Sequence, residues 1–185
     1  MARLIMWNLV SLDGYFEGSK SWDLEWFQSY LEDNFFSFSL QLLRSADMLL
    51  FGRVTYEGME RYWCNATGEI ADLMNQLPKV VFSRTLERVD WSNTTLVKTD
   101  PTAAVRELKS RLQKDIFVFG SADLSRTLMR AGCFDEYRLA IMSVVLGGGR
   151  RLFYEHDAPL PLRIVDSQRL SPACVVLRYE PAKNE

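Results

Sequence analysis

Four short runs along the chain are almost continuously apolar: Arg3–Ser11 (RLIMWNLVS), Asp47–Phe51 (DMLLF), Lys79–Ser83 (KVVFS) and Ile116–Phe119 (IFVF). A strand with one wet face alternates apolar and polar residues. These runs barely alternate, so they predict strands covered on both faces at the centre of a sheet. Helical spacing lies between them. Over Thr102–Lys114 the residues Ala104, Val105, Leu108 and Leu112 fall on one stripe; Asp100 is placed to cap it, Pro101 suits the first turn, and Glu107 can pair with Arg111. Leu124, Leu128 and Met129 make a shorter stripe that Gly132 ends. A longer helix is predicted over Leu24–Arg44, where Phe35, Phe36, Phe38, Leu40, Leu42 and Leu43 can bury much of the circumference.

The pattern changes after Glu136. Tyr137–Leu146, Leu162–Ser171 and Ala173–Glu180 look like strands with no helix between them, and Leu170–Ser171–Pro172–Ala173 has the composition of a hairpin link. An alternating first part implies a mostly parallel sheet with right-handed crossovers and helices on both faces, ending in antiparallel C-terminal strands. The expected architecture is therefore mixed α/β. No repeat or shift in composition divides it, so 1–185 is expected to be one domain.

Composition narrows the function. With 22 basic and 24 acidic side chains the net charge is −2, which leaves no surplus to drive general nucleic-acid binding or adsorption to an anionic membrane. The start of the chain is apolar but runs straight into Asp13–Gly14, so it reads as a strand rather than a signal peptide, and no run is long enough for a membrane span. Cys64, Cys133 and Cys174 are odd in number and scattered, as expected of a reduced, cytoplasmic chain. His156 is the only histidine, which excludes a multi-histidine metal site and makes a Ser/His/Asp hydrolase hard to build. A chain with this inventory borrows its reactive group.

In a parallel α/β sheet ligands lie beyond the carboxyl ends of the strands. Four segments follow such ends: Ser11–Leu12–Asp13–Gly14, Gly52–Arg53–Val54–Thr55–Tyr56, Ser83–Arg84–Thr85 and Gly120–Ser121–Ala122–Asp123. Each alone is ordinary turn or helix-start chemistry. Together, arginine beside glycine and hydroxyl residues at helix or loop starts makes a phosphate-binding environment that suits a dinucleotide with an extra phosphate. The usual GxGxxG fingerprint is absent, and Gly147–Gly148–Gly149 before Arg150–Arg151 has no helix to open. A Rossmann domain is not expected.

The ordered segments SLDGYFEG, LLFGRVTYEGM, VVFSRTL, FVFGSADLSRTLMRAGCFDEYRL and VVLGGGRRLF resemble the dihydrofolate-reductase superfamily. Within it they are most similar to the reductase domain of the bifunctional riboflavin-biosynthesis deaminase-reductase and its stand-alone relatives. The resemblance spans nearly the whole chain and implies a three-layer NADPH-dependent reductase fold of about eight strands. Carried over by position, it places Gly52, Arg53 and Thr55 near the cofactor's pyrophosphate and 2′-phosphate, and Ser83, Arg84 and Thr85 around its adenosine end. Gly120, Ser121, Ala122, Asp123 and Leu124 fall under the pyrophosphate and nicotinamide, and Asn8 and Leu9 beside the nicotinamide amide. Ser121 departs from the pattern, because relatives commonly have a second glycine there, and a side chain restricts how closely the backbone can approach a phosphate.

On the substrate side, Trp22–Asp23–Leu24–Glu25–Trp26–Phe27 resembles the helix entry of dihydrofolate reductase that carries the active-site carboxylate, which makes Asp23 the catalytic candidate. Asp13 is its rival, with Gly14 beside it in the same turn. Read without the resemblance, Asp23 caps a helix and Asp13 makes a turn. Trp22 and Trp26 form either an aromatic wall for a heterocycle or part of the core. The expected function is NADPH-dependent hydride transfer to a pteridine-like, ribosylaminopyrimidine-like or other small carbonyl or imine substrate, with the protein supplying position, a dry pocket and one proton. The alternative is a non-catalytic nucleotide-binding or interaction module that keeps the fold. A ribose phosphate on the substrate would need its own basic pocket, for which Arg150 and Arg151 are the adjacent pair. The resemblance also implies a homodimer through the C-terminal strands.

Overall fold

The computed structural model describes residues 1–153 and 159–182, so His156 lies outside the described residues. Strands β1 (Leu4–Ser11), β3 (Ala46–Gly52), β4 (Lys79–Phe82), β5 (Thr94–Val97), β6 (Asp115–Phe119), β7 (Glu136–Met142), β9 (Leu162–Ser171) and β10 (Cys174–Pro181) form one sheet. Its order is β5-β4-β3-β6-β1-β7-β10-β9. All pairings from β5 to β7 are parallel, whereas β10 runs antiparallel to both β7 and β9. A separate two-stranded ribbon pairs β2 (Tyr15–Glu17) with β8 (Arg150–Arg151). This is the mostly parallel α/β sheet with an antiparallel C-terminal end that the apolar runs predict.

The near-continuous apolar runs have the expected cause. Along β1, Leu4 and Met6 join the core on one face with α4 (Pro101–Arg111) and α5 (Ala122–Arg130), while Ile5 and Trp7 join the core on the other. That second face is covered by α1 (Asp33–Arg44), α2 (Arg53–Trp63) and α3 (Glu69–Gln76). Successive side chains enter opposite cores, so no position is left for a polar residue to face water.

The helix boundaries were partly legible. Asp100 accepts from the N–H groups of Thr102 and Ala103, and Arg111 pairs with Glu107 at 3.0 Å, as the spacing predicts. That helix stops at Arg111 rather than Lys114, because the Asp47 carboxylate takes the N–H groups of Gln113 and Lys114 and pulls the chain into β6. The long helix expected over Leu24–Arg44 is two elements, a 3₁₀ helix at Glu25–Tyr30 and then α1, separated by extended backbone at Leu31 and Glu32. Three residues per turn put Leu24 and Phe27 on one side, and both line the cleft described below. The strand expected to reach Leu146 ends at Met142. Strand β5 escaped prediction because it is short and begins Thr94–Thr95.

At the sheet's other end, Glu136 is fully buried among three arginines. It accepts from Arg138 Nε at 2.7 Å, from Arg178 Nε and Nη2 at 3.0 and 2.9 Å, and from Arg3 Nη1 at 3.2 Å. Arg3 also makes a two-pronged contact with Asp115 at 3.0 and 2.8 Å. Burial pushes the Glu136 carboxyl up, but the hydrogen bonds and charges of Arg178 and Arg138 outweigh it, and its pKa lies below the ordinary value. The network joins β6, β1, β7 and β10. Replacing Glu136 by Gln leaves buried guanidinium charge without its anion, so stability should fall by about 3 kcal/mol. Urea denaturation measures this, and a loss under about 1 kcal/mol would show that the arginines find other partners.

Candidate functional site

A cleft of about 520 Å³ opens where β1, β3, β4, β5 and β6 end, the position at which an open parallel sheet binds ligands. Two helices begin at it. The N-cap of α2 is Gly52 and that of α5 is Ser121, and neither has a side-chain cap, so their first N–H groups are open to a ligand. The two starts are bonded to each other: Gly52 N–H donates to Ser121 Oγ at 2.8 Å, and Ser121 N–H donates to Thr55 Oγ1 at 3.0 Å.

Gly120 and Ser121 both have left-handed backbones, with φ of 53° and 56°. A Cβ on Gly120 would lie 3.3 Å from Thr55 Oγ1, so glycine serves close packing as well as conformation there. Ser121 adopts the conformation a second glycine would take at no steric cost, and its hydroxyl offsets part of the strain by accepting from Gly52. Ser121→Ala should keep the strain and lose the acceptor, costing about 1–2 kcal/mol. Ser121→Gly loses the same bond but relaxes the backbone and should stay within about 1 kcal/mol of the parent. Equal losses in thermal or urea denaturation would show that the backbone stores nothing.

Of the residues singled out in the sequence, Asn8, Leu9, Gly52, Arg53, Thr55, Ser83, Arg84, Gly120, Ser121, Ala122, Asp123, Leu124 and Trp22 line this cleft. Thr85 does not; with Leu86 it donates its N–H to the Ser83 hydroxyl, which shapes the turn. Arg53 is tied to Glu57 one turn along α2, at 3.0 Å. Arg84 is exposed and has no ion-pair partner among the described residues, and Lys98, which sequence reasoning did not single out, stands with it on the lining.

The expected carboxylates lie elsewhere. Asp13 lies off the lining and accepts from Ser11 Oγ at 2.7 Å and from the N–H groups of Leu146 and Gly147 at 3.1 and 2.8 Å. With Gly14, whose carbonyl accepts from Leu152 N–H, it staples the turn after β1 to the glycine-rich loop. Asp23 packs over Gly18, where an added Cβ would sit 2.2 Å from its Oδ2. Trp26 turns its ring edge-on to Phe27 and packs on the core, its Nε1 buried without a partner.

Among the carboxylates that do line the cleft, with Asp100 and Asp123, the buried one is Glu17, at the end of β2 and only 5% exposed. It accepts from the backbone N–H of Trp22, whose φ of 63° is itself left-handed. The Trp22 ring lies flat on α2 at Gly58, where any Cβ would fall 2.2 Å from a ring atom. Glu17 had one sequence signal: it stands between two glycines in the segment DGYFEG, one residue after the buried Phe16. Arg150 closes this end. Its Nη2 meets Asp123 Oδ2 at 2.6 Å, and its Nη1 is 3.8 Å from Glu17 Oε2. Arg151 instead lies over the Tyr15 ring and is directed away.

A nicotinamide dinucleotide fits these residues. Asn8 Nδ2 is buried on the lining with no partner, so a donor waits there for a ligand's acceptor, and the uncapped starts of α2 and α5 offer N–H groups to phosphates.

The fold and the placement of the cleft define a dihydrofolate-reductase-like domain. The chain belongs to the RibD C-terminal domain family, whose profile it matches over residues 2–176. It is 30% identical over 182 residues to the uncharacterized protein YyaP of Bacillus subtilis (strain 168), covering 96% of this chain and 94% of that one. Among solved structures it is similar to a putative riboflavin biosynthesis protein from Shewanella sp. PV-4 (TM-score 0.79, 21% identity, 99% of this chain and 100% of that one). It is also similar to dihydrofolate reductase from Enterococcus faecalis complexed with NADP(H) (TM-score 0.67, 14% identity, 98% and 97%). No helix among the described residues is long and apolar enough to cross a membrane.

The Asp13 staple has a pH signature. Its carboxyl is lowered from 3.8 to about 2, first by the Ser11 hydroxyl and, against some desolvation, by the N–H groups of Gly147 and Leu146. A carboxyl depressed on folding contributes stability that is complete above its ordinary value and lost as pH falls toward the folded one. The stability gap between parent and Asp13→Asn should therefore be constant above about pH 5 and close between about pH 4 and 2. Denaturation at a series of pH values reads this, and a gap that persists to pH 2 refutes it.

Proposed function

We propose that this protein is an NADPH-dependent reductase acting on a small planar carbonyl or imine compound. The observation that carries the reading is the pair of uncapped helix starts, α2 and α5, bonded to each other at one cleft beside exposed Arg84 and Lys98. NADPH, when bound, supplies the hydride. Gly52, Arg53 and Ser121 through Leu124 would hold its phosphates, Arg84 and Lys98 its 2′-phosphate, and Asn8 its carboxamide. Trp22 and Phe27 present apolar ring surface to a substrate and keep water out of its half of the cleft. Glu17 is the group placed to hold a proton or a water at the substrate, because Asp13 is committed to three donors and Asp23 is folded over Gly18.

This assignment makes Arg84 rather than Arg53 the main discriminator between the two nicotinamide cofactors, since Arg53 already has Glu57. Arg84→Ala should weaken NADPH binding roughly ten- to a hundred-fold, about 1.5–3 kcal/mol, and hardly change NADH binding. Fluorescence titration with both cofactors measures it. Equal affinity of the parent for NADPH and NADH removes the basis of the assignment, and tight NADPH binding without reduction of any carbonyl or imine compound favours a non-catalytic nucleotide-binding module.

A further inference from the structure

Helix α2 serves the cleft at two points along one axis. Its start at Gly52 has no side-chain cap and lies on the lining. Further along, about 9 Å by the rise of a helix, Gly58 is buried beneath the six-membered ring of Trp22, which lines the cleft while Gly58 itself does not. Nothing in the backbone asks for glycine there. Gly58 sits inside a regular helix without a positive φ, where glycine is a poorer choice than alanine. What excludes alanine is the ring: a Cβ on Gly58 would lie 2.2, 2.3 and 2.4 Å from Trp22 Cδ2, Cε3 and Cε2. Carbon atoms in contact stand ~3.5–4.0 Å apart, so the ring would have to retreat by roughly 1–2 Å.

The loop fixes the direction of that retreat. Trp22 has a left-handed backbone (φ 63°), and its N–H donates to the buried Glu17 carboxylate. A bulky residue keeps this conformation only where its surroundings impose it. The ends of the loop are tied to each other: Gly18 N–H donates to the Asp23 carbonyl at 2.9 Å, and the Asp23 carboxylate packs over Gly18. With the backbone held and α2 behind the ring, the way out for the ring is the cleft that it lines.

We propose that Gly58 is a specificity-determining residue that acts through Trp22: by leaving out a side chain it lets the ring lie on the α2 backbone, and so fixes how wide a molecule the Trp22 half of the cleft admits. Gly58 is thus a positioning residue. A shift of about 1 Å in a wall that orients a ligand is enough to change what fits and how it is aligned. The proposal rests on the reductase reading for what enters that half, whereas the seating of Trp22 stands on the residues alone.

The seat is tested by thermal unfolding in two backgrounds. Gly58→Ala should lower Tm in the parent, where the ring is in the way, and raise it by about 2–4 °C in Trp22→Ala, where only the preference of the helix remains. A change of the same sign in both overturns the proposal. If Gly58→Ala alone does not fold, folding of the double variant is the expected result, and failure of both overturns it. Where Trp22→Ala does not fold, the width measurement decides. It uses calorimetric binding of two planar carbonyl compounds, uracil with one ring and lumazine with two, to the protein loaded with NADP⁺. Gly58→Ala should bind NADP⁺ within roughly threefold of the parent, lose lumazine affinity roughly tenfold or more, and lose far less for uracil. Adding Trp22→Phe, a smaller ring, should restore lumazine binding. Equal losses for both compounds, no recovery with Trp22→Phe, or a parent that binds NADP⁺ and neither compound each overturn the proposal. A parent that binds neither NADP⁺ nor NADPH sinks the reductase reading instead, and the two Tm changes then decide the seating of Trp22.

Discussion

The hydrogen bonds from Gly52 to Ser121 and from Ser121 to Thr55 join two crossovers that are nearly seventy residues apart in sequence. Without them the starts of α2 and α5 would be two separate loops above adjacent strands. With them, both sets of unsatisfied N–H groups point into one cleft, and the cost is a left-handed serine. Because β3 and β6 are direct neighbours in the sheet, the tie needs only one side chain on each loop. Most of the cleft is placed relative to this junction: Asn8 projects from β1 on the other side of β6, and Arg84 follows β4 on the other side of β3.

The sheet divides its work between its ends. At the amino ends of β1, β6 and β7, Glu136 and Asp115 are paired with Arg3, Arg138 and Arg178. At the carboxyl ends donors stand open: the helix starts, Asn8 Nδ2 and Arg84. Closing one end electrostatically lets the other carry unsatisfied groups, since a buried donor without a partner is tolerable only where the rest of the framework holds it in place. The antiparallel end contributes differently. Strand β9 is an edge, and Leu162 and Ile164 stand exposed on it, so the margin on which the sequence led us to expect a dimer is open in the monomer.

The sequence revealed most where one residue sees one local environment. Strands β1, β3, β4 and β6 were legible because burial on both faces leaves an unbroken apolar signature, and α4 because Asp100 and Pro101 mark its start. Strand β5 and the break at Leu31 were not legible, because each is imposed by tertiary contacts: pairing with β4 in one case, and the route of Leu24 and Phe27 along the cleft in the other. The side of the cleft formed by the helix starts was readable for a related reason. Its residues directly follow central strands, so once the strands are known their carboxyl ends are known. The side bordered by Trp22, Glu17 and Arg150 is assembled from a loop and a two-stranded ribbon, and no local pattern specifies that assembly.

The carboxylates make the distinction concrete. SLDG and LGGGRR look like chemistry because they combine glycine with charge, yet their conspicuous residues are used up on each other: Asp13 holds the backbone of Leu146 and Gly147, and Gly149 makes room for the Glu17 carbonyl. That mutual fit is what delivers Glu17 and Arg150 to the cleft. A carboxylate that accepts from three donors off the cleft has little left for a ligand, whereas one that is buried on the lining, with one oxygen on a strained N–H and the other 3.8 Å from a guanidinium, still faces the space a ligand would fill. Asp13 thus shapes the turn beside the cleft and Glu17 lines the cleft itself, although the two are only four residues apart in one short segment.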